Sequence, residues 1–286
     1  MIKVEDLIYK YPKNSSLTVK KISFKIERGE IFGFLGPSGA GKSTTQKILI
    51  KLLTDYSGSI HVLNKELNQL SNEFYQQIGV CFELPNHYLK LTALENLQFF
   101  TSFYKKVNGN LMELLDKVGL ADDANIKVEN YSKGMKMRLN FIRSIAHNPD
   151  ILFLDEPTSG LDPVNARKIK DIILEQKKMG KTVFITTHNM HDADELCDRI
   201  AFIVDGKLEI IDTPKNLKLL GGKRSVKVEY ENGDIKTDEF AIDGLADNKI
   251  FLNVLRKNHI RSIHSEEASL EDIFIKVTGK SLINNG

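Results

Sequence analysis

Gly36-Pro37-Ser38-Gly39-Ala40-Gly41-Lys42-Ser43 follows the pattern G-x-x-x-x-G-K-[ST]. Glycines at that spacing let successive backbone N–H groups turn toward one point and approach phosphate oxygens with no Cβ in the way. Lys42 adds a point charge for the outer phosphates, and the Ser43 hydroxyl is an oxygen ligand of the kind Mg²⁺ takes. A helix opening there adds its own partial positive charge. A second stretch, Ile151-Leu152-Phe153-Leu154-Asp155-Glu156, is an apolar run ending in two carboxylates. A buried strand of that kind can deliver Asp155 to a metal's water shell and Glu156 to an attacking water. Alone, each stretch has a plain reading: a flexible glycine loop, or carboxylates that solvate a strand end. Together they point to a nucleotide phosphate site.

Such a site needs strand, loop and helix in that order. Ile31–Leu35 is apolar apart from Gly33, as expected of a strand covered on both faces. After the glycine loop, Ser43–Leu53 sets Ile48, Leu49, Leu52 and Leu53 at helical spacing. Upstream, Ile2–Tyr9 and Ile22–Ile26 read as strands, with a turn at Arg28-Gly29. From about residue 84 to 150 the strand signal fades, and Leu94–Tyr104, Leu111–Val118 and Ser132–Ala146 read as helices. Strand-like runs resume at Ile151–Leu154, Val183–Thr186 and Ala201–Val204, with a helix over Asn165–Met179 ended by Gly180. Asp205-Gly206 is a two-residue hairpin signal.

Beyond Thr213-Pro214 the pattern changes. Val226–Tyr230 and Ile235–Ile242 flank Asn232-Gly233 as a second hairpin, Ile250–Arg256 reads as helix and Ile260–His264 as strand. Ser269-Leu270-Glu271-Asp272 is a capping-box pattern opening a final helix, and residues 282–286 are expected to fray.

Composition bounds the rest. A length of 286 residues predicts about two domains, and 41% hydrophobic residues suffice for a buried core. Forty basic and thirty-eight acidic side chains leave +2, so bulk attraction to nucleic acid or anionic lipid is not expected. Cys81 and Cys197 cannot build a disulfide framework and read as free thiols. MIKVEDLIYK lacks the apolar core of a secretory signal, and no run reaches the ~18 apolar residues of a membrane span. The expectation is a soluble chain, or one that meets a membrane through a partner.

The motif set resembles the ATP-binding subunit of an ABC transporter, over residues 1 to about 215. The resemblance implies an α/β P-loop NTPase core with an antiparallel β subdomain and an inserted α-helical subdomain (about 84–150). Residues 216–286 then form a small C-terminal αβ appendix. It implies ATP and Mg²⁺, with ATP contacts from Gly36 through Thr44, catalysis by Lys42, Glu156 and His188, and metal ligation by Ser43, Asp155 and Glu83. Tyr11, 25 residues before Gly36, matches the aromatic that stacks on adenine, with Tyr9 as its rival and a packed strand aromatic as the plain alternative. Ser132-Lys133-Gly134-Met135 falls where the family signature L-S-G-G-Q is expected, and Ser159-Gly160-Leu161-Asp162 matches the loop that communicates across the dimer. In that family two subunits face head to tail, so Ser132 and the Gly134 backbone would contact ATP held by the partner. His188 and His191 also make H-x-x-H, but no further ligand supports zinc.

Three positions depart from the family pattern. Glu83 stands where the family carries Gln, Lys133 replaces Gly, and Met135 replaces Gln. These changes bear on turnover and coupling more than on ATP binding. The segments Glu83-Leu84-Pro85, Leu91–Leu97 and Ala268–Phe274 are similar to ATPase subunits of bacterial drug and antibiotic exporters. The implied protein is a homodimer, or half of a heterodimer, on the cytoplasmic face of the cell membrane. It would drive a separate transmembrane permease docked on the helical subdomain, with no nucleic-acid partner. Phe99, Phe100 and Phe103 are expected to face the helical core, with one or two left exposed for docking. A non-hydrolysing regulatory half, an importer ATPase and a soluble ATPase acting on ribosomes or DNA are the competing readings.

Overall fold

Alternation of apolar and polar residues builds the first layer. In β1 (Ile2–Tyr9), Ile2, Val4, Leu7 and Tyr9 are buried, and the alternation shifts phase at Asp6, whose φ of 52° marks a bulge. β1 pairs antiparallel with β2 (Val19–Ile26). The computed structural model describes residues 1–105, 107, 109–221 and 224–279. The expected fraying of residues 282–286 lies outside them. The chain divides between Ile211 and Asp212 into two units.

In the first unit, β3 (Ile31–Leu35) is buried throughout and runs through the phosphate loop into α1 (Lys42–Leu49). The helix stops four residues before the expected Leu53, because Lys51 takes a left-handed conformation, φ 59°. Three strands escaped the sequence reading: β4 (Ser57–Val62), β5 (Lys65–Glu66) and β6 (Ile78–Cys81). β4 pairs with β1 and β5, giving a four-stranded sheet in the order β2-β1-β4-β5.

The helical insertion follows, with α2 (Ala93–Thr101), α3 (Leu111–Lys117) and α4 (Lys133–Ile145). Thr92 and Glu95 close a capping box on α2, Asn110 caps α3, and Ser132 caps α4. Of the aromatics expected toward the core, Phe100 is half-buried while Phe99 and Phe103 are exposed. Those two join Tyr88 in an edge-to-face chain with ring centroids 4.9 and 5.2 Å apart.

β7 (Ile151–Asp155), α5 (Pro163–Lys178), β8 (Thr182–Thr187), α6 (Met190–Leu196), β9 (Arg199–Val204) and β10 (Lys207–Asp212) complete the unit. The six-stranded sheet has the order β10-β9-β3-β8-β7-β6, and the β9–β3–β8–β7–β6 pairings are parallel. The fully buried strands β3, β7 and β8 deliver their C-terminal ends to one edge, where ligands gather in open parallel sheets. Phe24 of β2 joins the two layers, its ring 5.6 Å from Phe32 and 5.5 Å from Phe34.

The second unit contains α7 (Pro214–Leu219), β11 (Arg224–Asn232), β12 (Asp234–Ala241), α8 (Lys249–Lys257), β13 (His259–Glu267) and α9 (Leu270–Thr278). Its antiparallel sheet, β12-β11-β13, packs Val226, Val228, Tyr230 and Phe240 with Phe251 and Val254 of α8. Ser269 and Asp272 form the expected capping box on α9. No helix among the described residues is long and apolar enough to cross a membrane.

Candidate nucleotide-hydrolysis site

The phosphate loop is held from beneath by β9 and its turn. A Cβ on Gly36 would lie 2.1 Å from the Ile203 carbonyl oxygen, so only glycine lets the loop leave β3 along this path. Asp205 and Gly206 both take positive φ, as a type I′ turn requires. The Gly206 N–H donates to the Ala40 carbonyl at 3.0 Å, and Lys20 N–H donates to Gly206 O at 2.7 Å. Gly41, at φ 106°, turns the chain into α1.

A cleft of about 450 Å³ opens above the loop, lined by Tyr11, Asn14, Thr18, Ser38, Gly39, Gly41, Lys42, Ser43, Thr44, Glu83, Asp155, Glu156 and His188. Lys42 is only 9% exposed, and its ammonium donates to the carbonyls of Gly36 at 2.6 Å and Pro37 at 3.0 Å. Burial lowers its pKa, opposed by the charges of Glu156, Asp155 and Glu83. The Ser43 hydroxyl donates to Asp155 Oδ1 at 3.4 Å, and Thr186 Oγ1 donates to the same oxygen. Three of the residues expected to contact ATP, Gly36, Pro37 and Ala40, do not line the cleft.

Glu156 is held more firmly than any other acid here. It is 6% exposed and takes φ 48°, a conformation rare for a residue with a side chain. Its backbone N–H donates to Thr186 O at 2.9 Å. One carboxylate oxygen accepts from Thr187 Oγ1 at 3.0 Å; the other accepts from the His188 N–H at 2.9 Å and lies 2.7 Å from His188 Nδ1. An acceptor-only carboxylate requires Nδ1 to carry the hydrogen, which turns Nε2 away from Glu156. Thr186 and Thr187, which the motif reading passed over, therefore anchor both carboxylates from the end of β8. Their signal was present as Thr-Thr-His at the close of an apolar strand.

Tyr9 and Tyr11 part company. Tyr9 is 4% exposed and belongs to the core, whereas Tyr11 lines the cleft and its hydroxyl lies 3.2 Å from Thr44 Oγ1. The rings meet edge to face at 5.0 Å.

Ser132–Met135 and Ser159–Asp162 come together away from the cleft lining. A Cβ on Gly134 would lie 3.7 Å from Leu161, and one on Gly160 would lie 3.4 Å from the Lys133 side chain. Ser132 Oγ accepts from Met135 N–H at 3.2 Å, starting α4 on the surface. Asp162 caps α5 by accepting from Val164 and Asn165. Thr158 donates to Asp192 at 2.6 Å, tying the segment after Glu156 to α6.

The ABC transporter family matches residues 19–159, and the fluoroquinolone efflux ABC transporter C-terminal domain matches residues 224–267. A fluoroquinolones export ATP-binding protein of Mycobacterium tuberculosis is 56% identical over 284 residues, 99% of this chain and 94% of that protein. A linearmycin resistance ATP-binding protein of Bacillus subtilis is 32% identical, with 99% of each chain covered. Among solved structures, an ATP-binding subunit of an ABC transporter has a TM-score of 0.70 at 26% identity, covering 78% of this chain and 93% of that one. A dimeric ATP-binding cassette in a post-hydrolysis state, bound to ADP and Pi, has a TM-score of 0.67 at 29% identity, covering 74% and 98%. With the phosphate loop, the paired carboxylates and the histidine converging in one cleft, this chain belongs to the ABC transporter family as one of its ATP-hydrolysing, ATP-binding proteins.

Proposed function

We propose that the chain is the ATPase of an exporter, closing as a dimer on ATP and driving a separate membrane subunit that moves an amphiphilic antibiotic. The observation that carries this reading is a divided site. Lys42, Ser43, Asp155, Glu156 and His188 share one cleft, while Ser132–Met135 and Ser159–Asp162 share a surface elsewhere. A second copy placed head to tail would bring Ser132 and the Gly134 N–H to the phosphates, with the start of α4 adding its positive end. The name of the 56% identical relative supports a fluoroquinolone as the first cargo to test.

In the cleft, loop N–H groups and Lys42 bind the phosphates, and Tyr11 offers its ring to the base. Glu156 takes the proton of the attacking water while Thr187 and His188 fix its direction. The hard oxygen donors of Ser43, Asp155 and Glu83 fit Mg²⁺, which would supply charge neutralisation when bound. Residues 1–215 act as the ATP-binding domain and 216–286 as an accessory domain. The exposed Tyr88, Phe99 and Phe103 belong to the surface for the membrane subunit, which would hold the protein at the cytoplasmic face.

Phosphate release by the purified chain with ATP and Mg²⁺, beside Glu156→Gln, tests the reading. Wild type should turn over with a rate that rises faster than protein concentration, and the variant should lose at least ~100-fold while retaining ATP as a dimer. ATP binding with no turnover in wild type would instead favour a regulatory half-site.

A further inference from the structure

Glu83 is the one cleft acid that nothing restrains. Asp155 accepts from Ser43 and Thr186, and Glu156 from Thr187 and His188. The Glu83 side chain is exposed at the cleft and has no hydrogen-bond or ion-pair partner among the described residues. Among the described residues Lys42 is the only ammonium in the lining, so three carboxylates face one cation that is already turned onto the loop carbonyls. A triphosphate entering without a cation adds further negative charge beside Glu83, in a partly desolvated cleft where charges interact strongly. A triphosphate entering with its divalent cation presents Glu83 with an attractive partner. Glutamine at this position would keep the oxygen and the size but not the charge.

We infer that Glu83 couples nucleotide binding to a divalent cation, favouring the cation-bound triphosphate over the free one. This rests on the ATP reading of the cleft and adds a gate on the form of the nucleotide. The gate acts on binding, before hydrolysis, and would keep the dimer from closing on a nucleotide it cannot cleave. Glu83 contributes through charge, so its effect falls as salt rises.

The test is equilibrium binding of a fluorescent, non-hydrolysable ATP analogue to the full chain, in Mg²⁺ and in EDTA, for wild type, Glu83→Gln and Glu83→Ala. An exposed side chain with no partner can be replaced without loss of fold. The ratio of Kd in EDTA to Kd in Mg²⁺ should fall about tenfold in Glu83→Gln, equivalent to about 1.4 kcal/mol, chiefly through tighter binding in EDTA. Glu83→Ala should show the same fall and require more Mg²⁺ for half-maximal binding, since it also loses the oxygen. A ratio that is unchanged in both variants overturns the inference, as does equal weakening in both buffers. If wild type binds no analogue even with Mg²⁺, the ATP reading itself is wrong and the inference goes with it.

Discussion

A carboxylate serves as a base only if it points at its water, and Glu156 is aimed by three donors from two consecutive residues, Thr187 and His188. Thr187→Val removes one donor while leaving the acid in place. Turnover should fall about tenfold with ATP affinity unchanged, read as kcat against Kd. The tyrosine pair gives a second prediction at this scale. Tyr11→Ala should weaken nucleotide binding without altering stability. Tyr9→Ala, at a buried position, should cost about 3 kcal/mol in chemical denaturation and spare affinity. The motif reading found Lys42, Asp155 and Glu156 because their chemistry is written in contiguous residues. It left Tyr9 and Tyr11 open because β1 carries a bulge at Asp6, and which face a strand residue takes after a bulge is a matter of pairing.

At the scale of elements, caps and pairings decide what a local pattern can become. Thr92→Ala breaks the α2 capping box and should destabilise the protein by about 1 kcal/mol, seen as a shift in urea midpoint with unchanged slope. The long helices and the buried strands β3, β7 and β8 were legible because their apolar spacing is continuous. β4, β5 and β6 were not. β4 begins Ser-Gly-Ser and buries only Ile60 and Val62, so its strand character comes from β1 alongside it. β6 is four residues long and includes Gly79, whose Cβ position lies 2.0 Å from the Ser144 carbonyl. Its strandedness is imposed by β7 and by the close approach of α4, neither visible in Ile-Gly-Val-Cys. The short α6 and α7 start at Asn189 and Thr213 caps, in segments to which the sequence reading assigned no element.

Across the whole molecule, acidity should loosen the helical insertion, where two histidines are buried. His87 is 9% exposed, lies 2.9 Å from the Lys136 carbonyl, and has its pKa pushed down to about 4 by burial, with the nearby Arg143 and Lys136 charges adding to the fall. The carbonyl raises it only in part. The unfolded chain therefore binds the proton more readily than the folded one. The stability is fully present above the unfolded value near 6.5 and is lost as pH falls from there toward 4, up to about 3 kcal/mol. Burial lowers the His147 pKa as well, which adds in the same direction. His87→Gln should flatten the fall in melting temperature between pH 7 and 5 relative to wild type, measured by thermal denaturation.

The hairpin beneath the phosphate loop has a mechanical side. The Ile203 carbonyl lies against Gly36, and the turn at Gly206 grips Ala40 on one side and Lys20 on the other. From that turn β10 runs straight to Asp212, where the second unit begins. The ribbon that sets the height of the loop is thus the leash of the second unit.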